Sequence, residues 1–124
     1  MNSQNTQINL RWFTYQQNNS GGSFDIDEQV AQTVIIQAGS PEEADRLAEN
    51  IGIYFHGCQT GMDCSCCGDR WSEAYDDGDD VPSLYGEPIT EGDSVRIYPY
   101  GATTPVIDID VVREMGLLPA PEEN

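Results

Sequence analysis

The four cysteines and the single histidine of this chain fall within twelve residues, in the stretch His56-Gly-Cys58-Gln-Thr-Gly-Met-Asp-Cys64-Ser-Cys66-Cys67. This crowding constrains the fold more than any other feature. Thiolate sulfur and imidazole nitrogen are the ligands that tetrahedral Zn2+ prefers. Cys64-x-x-Cys67 followed by Gly68 has the spacing of a zinc knuckle, a turn whose backbone amides point at the first sulfur. A loop this polar cannot bury itself, so a structural Zn2+ is expected to organise it.

Five candidate ligands compete for four positions. The knuckle spacing favours Cys64 and Cys67. Adjacent residues seldom bind one ion comfortably, which makes Cys66 the spare, and His56 with Cys58 supplies the other pair if that segment is extended and both side chains point the same way. The rival set is Cys58, Cys64, Cys66 and Cys67 with His56 on the surface. An iron-sulfur cluster would use the same thiolates. In a reducing cytosol clustered cysteines read as ligands and not as disulfides, and a bridge between adjacent Cys66 and Cys67 would be strained. The surplus of ligands argues for a closed structural site and against catalysis. Asp63, Asp69 or Glu73 could serve a catalytic zinc as a base, but the sequence holds no triad and no phosphate-binding glycine loop with a lysine. The chain is therefore expected not to be an enzyme.

Charge narrows the partners. Twenty-two acidic residues face five basic ones, for a formal net charge of -17, and all five cations are arginine: Arg11, Arg46, Arg70, Arg96 and Arg113. Such a surface repels phosphates and anionic membranes, so direct binding of nucleic acid or lipid headgroups is disfavoured and a protein partner with a basic surface fits better. Solubility, or hydration at high salt, accounts for the acidity ahead of nucleic-acid mimicry. The run Asp76-Asp77-Gly78-Asp79-Asp80 reads as a solvated loop. Met1 to Gln7 lacks the pattern of a signal peptide, and no segment approaches the ~20 apolar residues that cross a bilayer.

The length of 124 residues fits one acidic domain, expected over 1–116 with a loose tail at 117–124. Ile8 to Tyr15 alternates as a strand covered on both faces, and Gln29 to Ala38, centred on Val34-Ile35-Ile36, forms its hairpin partner. The polar run from Gln16 to Ser23 turns the chain between them. Ser40 as N-cap, Pro41, Glu43 as a capping-box residue, and the stripe Ala44, Leu47, Ala48 and Ile51 predict a helix that Gly52 stops. Ile53-Tyr54-Phe55 then leads into the cysteine loop. Ser94 to Tyr100 and Val106 to Val111 read as two more strands around a turn at 101–105, with Val112 to Met115 as a short helical end. The fold class is α+β: a small antiparallel sheet, one amphipathic helix and a metal-stapled loop.

Two segments carry a resemblance. Tyr15-Gln-Gln-Asn-Asn-Ser-Gly-Gly-Ser-Phe24 and Cys64-Ser-Cys-Cys-Gly-Asp-Arg-Trp71 resemble those of a family of small uncharacterised proteins of tailed viruses, over roughly residues 8 to 75. The resemblance implies viral origin and a setting in the host cytoplasm or the virion, without implying a biochemical activity. Two irregular segments on a rigid scaffold are where binding usually resides. Asn18, Asn19, Ser20, Arg70 and Trp71 are the candidate partner-binding residues. Trp71 capping the core, with Arg70 paired to neighbouring acids, is the equal alternative. The expected function is a viral accessory protein that binds a host or viral protein, or else a virion component such as a capsid decoration or tail accessory.

Overall fold

The computed structural model describes residues 10–18, 22, 24–74, 78–84, 87–89 and 95–116. Its centre is a three-stranded sheet of β1 (Arg11–Gln16), β2 (Thr33–Ala38) and β5 (Val95–Tyr98) in the order β1-β2-β5. The alternation of β1 and β2 places apolar residues on both faces, which is why neither face is left to water. Phe13, Tyr15, Val34, Ile36 and Ala38 bury one face with Ala44 and Ala48 of α1 (Pro41–Asn50) and its C-cap Ile51, and Tyr98 of β5 joins them. Trp12, Ile35, Val95 and Ile97 bury the other with Ile89 and Val112.

The hairpin pairing of β1 with β2 is antiparallel, Arg11 opposite Ala38 through Gln16 opposite Thr33. β5, however, runs parallel to β2, with Thr33 opposite Val95 and Ile36 opposite Tyr98. The sheet is thus mixed where an antiparallel one was expected. A parallel partner needs a long crossover, and the helix, the cysteine loop and the acidic segment between residues 38 and 95 together supply it.

The helix follows its sequence signals. Ser40 Oγ accepts the N–H of Glu43 at 3.1 Å, while the Glu43 carboxylate reaches one residue past the cap to the N–H of Gly39 at 2.7 Å. At the other end Gly52 takes φ of 106°, and Ile53 N–H donates to Ala48 O at 3.1 Å, closing the last turn in the manner of a glycine-terminated helix.

The expected strand at Val106 to Val111 is not formed. Only Val106 bridges Ile97. The Asp108 carboxylate then accepts the N–H of Asp110 at 2.9 Å and starts α3 (Ile109–Glu114), which buries Val112 and leaves Ile107 and Val111 exposed. Alternating Ile and Asp suited a strand, but an Asp in position to cap a turn decides for the helix.

The acidic segment is also more structured than a solvated loop. Two short strands, β3 (Ser83–Leu84) and β4 (Glu87–Pro88), pair antiparallel, Pro82 and Ile89 are buried, and Asp79 bridges Trp12 on the outer edge of β1. Asp80 pairs with Arg11. Residues 1–9, 76 and 77 and the tail 117–124 lie outside the described residues.

Candidate functional site: the cysteine loop

Beyond α1 the chain runs through buried Ile53 and half-buried Tyr54 and Phe55 and then reverses at His56, whose φ of 60° and ψ of 39° are left-handed. Gly57–Thr60 (α2) is a single helical turn. His56 and Cys58 therefore do not share one edge of an extended segment, and the pairing expected of them as ligands loses its geometric basis. The turn demands Gly57 for a packing reason: a Cβ there would lie 1.9 Å from Asp63 Oδ2.

Asp63 is the pivot of the loop. Its side chain is fully buried; Oδ1 accepts the Tyr54 hydroxyl at 2.7 Å and Oδ2 accepts the Arg70 N–H at 2.8 Å. The Arg70 guanidinium, also buried, donates to Tyr54 Oη at 3.2 Å and to Gln17 Oε1 at 2.7 Å, and lies 3.4 Å from Asp25. Hydroxyl, carboxylate, guanidinium and amide satisfy one another here, the condition under which a buried charge is tolerated. Burial first, and then the bond to Asp63, raise the Tyr54 phenol above its usual range against the opposing pull of Arg70.

The knuckle turn itself is present. Cys67 and Gly68 N–H both donate to Cys64 O at 3.1 Å, and Gly68 takes the left-handed φ of 91° that closes the turn. The backbone N–H groups of Cys66 and Cys67 are directed at Cys64 sulfur and hold its thiol below the ordinary range, with the Cys67 and Cys66 thiols against it as well. Cys58 stands on the other side of the turn, its thiol 3.4 Å from Cys64 O. Partial burial and then the Asp69 carboxylate push the Cys58 thiol up. Asp69 in turn accepts the Cys58 N–H at 2.9 Å, a bond that lowers its own carboxyl. None of the four cysteines is in a disulfide. Among the described residues no three His, Cys, Asp or Glu side chains converge as a metal-binding group.

The remaining candidates separate. His56 Nε2 faces Glu73 Oε1 at 3.5 Å. Asn18 joins the first irregular segment to the second, its amide donating to Cys67 O at 2.7 Å and to Asp69 O at 3.3 Å while its N–H donates to Arg70 O at 2.8 Å. Asn19 and Ser20 lie outside the described residues. Arg70 and Trp71, open equally to a role as interface anchors or as a core cap beside an acid-paired arginine, are 9 % and 2 % exposed. Trp71 belongs to the core with Tyr15 and Val34, and Arg70 is engaged by the acids and amides around it, so neither presents its side chain outward. Gln17 and Tyr54 carry no such signal in the sequence, because a polar residue just past the end of β1 and an isolated tyrosine do not announce the network they join.

The match to a family model runs over residues 10–111, through both irregular segments and the whole sheet. The chain belongs to the DUF7296 family. DUF7296 is described as a domain of unknown function. No curated protein and no solved structure matches the chain. None of the described helices is long and apolar enough to cross a membrane.

Proposed function

We propose that this DUF7296 domain is a non-catalytic binding module whose 56–68 loop closes on one structural Zn2+, and that it acts as a viral accessory protein on a host or viral protein partner. The observation that supports the metal is the knuckle turn at Cys64, in which the Cys67 and Gly68 N–H groups donate to Cys64 O at 3.1 Å and Gly68 takes the left-handed φ of 91° that closes the turn. Cys64 and Cys67 form the knuckle pair, and Cys58 beside the turn is the third ligand. Cys66, whose thiol lies against that of Cys64, is the better fourth ligand than His56, which faces Glu73. The ion would draw the thiols together and staple a loop that has little apolar surface of its own.

The viral setting rests on the resemblance of the 15–24 and 64–71 segments to small tailed-virus proteins, and the net charge of -17 favours a partner with a basic surface. Elemental analysis of protein purified without chelator should give one zinc per chain. Binding to a structural zinc is folding energy, so Cys64→Ser and Cys67→Ser should sharply lower the melting temperature of the metal-loaded protein, and Cys66→Ser more than His56→Ala. Metal-free protein with four readily titrated thiols and an unchanged melting temperature in the serine variants would sink the zinc site.

A further inference from the structure

On the helix face of the sheet, away from the cysteines in sequence, lies a hollow of about 300 Å3. Its floor is Ile36 of β2 and Tyr98 of β5, its walls are Leu47 of α1 and the C-cap Ile51, and Pro99 and Ala102 of the following turn form its far side. The hollow lies where α1 packs over β2 and the chain leaves β5 for the turn at 99–103. That turn is held by Tyr100 N–H on Gln37 Oε1 at 3.0 Å and by the Tyr100 hydroxyl on the Glu43 carboxylate at 2.9 Å. Tyr98 is fixed from below, its hydroxyl donating to Gln29 O at 2.6 Å. The walls are thus set before anything enters, a condition that favours binding.

Size and surroundings select the occupant. A volume at the small end of the range for ligand pockets suits one or two aliphatic side chains better than a cofactor. The exposed amides of Gln29 and Asn50 stand at the rim, where a peptide backbone would lie. Along α1 the hollow continues into a shelf that shares Leu47 and Asn50 with it and adds Glu43 and Glu49 against the single cation Arg46. Asp27 lies near enough to Tyr98 to act on its hydroxyl from the other side, although Arg96 is there too, donating to the Asp27 carbonyl at 2.8 Å. A second copy of this chain would bring another -17 of charge to the same place, which opposes self-association.

We propose that this hollow receives an aliphatic side chain of a polypeptide whose flanking residues are Arg or Lys. The inference rests on the reading of the domain as a protein-binding module and says where and by what chemistry it binds. It is independent of the metal.

The test uses the full chain, labelled for amide NMR, and three synthetic peptides: one Leu flanked by two Arg on each side, the same with Ala for Leu, and the same with Glu for each Arg. The Arg-Leu peptide should shift the amides of Ile36, Leu47, Tyr98 and Ala102 and bind about tenfold or more tighter than the Ala peptide, the scale expected for burying one aliphatic side chain. The Glu peptide should not bind. Ala102→Trp, which fills the hollow from its exposed side, should abolish the preference for Leu over Ala while leaving the melting temperature in place; Glu49→Gln should weaken the Arg-Leu peptide without altering that preference. Equal binding of the Arg-Leu and Arg-Ala peptides would mean charge attraction alone and overturn the proposal, as would a Leu preference that survives Ala102→Trp. Shifts centred on residues 56–74 would overturn the hollow yet leave a binding module standing. No shift from any peptide would count against both, and a concentration-dependent dimer that buries the hollow would replace the peptide with a second copy.

Discussion

In the sheet and helix, Val34, Ile35, Ala38, Ala44, Ala48 and Ile97 are wholly buried, whereas from His56 to Gly68 no residue but Gly57 and Asp63 is buried, and Asp63 still exposes 9 % of its surface. The first region is shaped by moving apolar surface out of water, a non-directional force roughly proportional to area. The second is shaped by directed bonds: Asp63 to Tyr54 and Arg70, Asp69 to Cys58, Asn18 to Cys67. The two regions should therefore fail differently. The body should respond to changes of volume, and the loop to the loss of single polar atoms.

The largest effect is expected where the two meet. Trp71 follows Arg70 directly and is buried with Tyr15 and Val34, so Trp71→Ala should cost about 3–5 kcal/mol in urea denaturation. A loss below about 1 kcal/mol would mean that the end of the loop is not anchored in the body and that the contrast is sharper still. Next, Asp63→Ala leaves the Arg70 backbone N–H and the half-buried Tyr54 hydroxyl without their acceptor and removes one of the two carboxylates beside the buried Arg70 guanidinium, and it should cost roughly 3 kcal/mol. Amide exchange should accelerate across residues 57–70 while α1 keeps its protection; equal acceleration in α1 would erase the distinction between the regions.

Ser40→Ala removes the cap of α1 and should cost about 1 kcal/mol, this time with exchange in the loop unchanged. The smallest effect is a change in the shape of the alkaline stability curve. Burial, helped by the Asp27 charge, pushes the Tyr98 hydroxyl up to about 12, from an ordinary value near 10. Between those values the unfolded chain has released this proton and the folded one still holds it. The contribution of Tyr98 is therefore complete below about pH 10 and lost as the pH rises toward 12. Denaturation series on Tyr98→Phe should show a flatter decline over that window than the parent; identical slopes would remove Tyr98 as the cause.

The same division explains what could be read from the residues alone. The hairpin partners and α1 follow from periodicity and caps, both local and both visible in the order of Ile, Val, Ser, Pro and Gly. The mixed sheet was not legible, because the direction of β5 depends on how 56 intervening residues cross over, and no local pattern encodes that. Ile107, Ile109 and Val111 alternate as a strand would, and one capping carboxylate at Asp108 overrides them. In the loop, the knuckle turn was legible from Cys64-x-x-Cys67-Gly68, since glycine marks the left-handed position. That Arg70 could pair with acids was one of two equal readings, but which partners it takes was not legible, because Gln17, Asp25 and Asp63 lie 53, 45 and 7 residues away in the chain.

The two isolated bridges have a consequence for how such a molecule can be approached. Asp79 pairs with Trp12 through 2.9 and 2.8 Å bonds on the outer side of β1, and Val106 pairs with Ile97 through 3.0 and 2.7 Å bonds on the outer side of β5. Each flank of the sheet is thereby occupied by the chain's own backbone, near the start of β1 at Trp12 and within β5 at Ile97. An incoming extended peptide would find no uninterrupted row of amides and carbonyls to zip onto, and neither would a neighbouring molecule in a crowded solution. Recognition is thus left to side chains seated in hollows and to charge, and fibre growth by strand stacking is obstructed at both flanks by two residues, Asp79 and Val106.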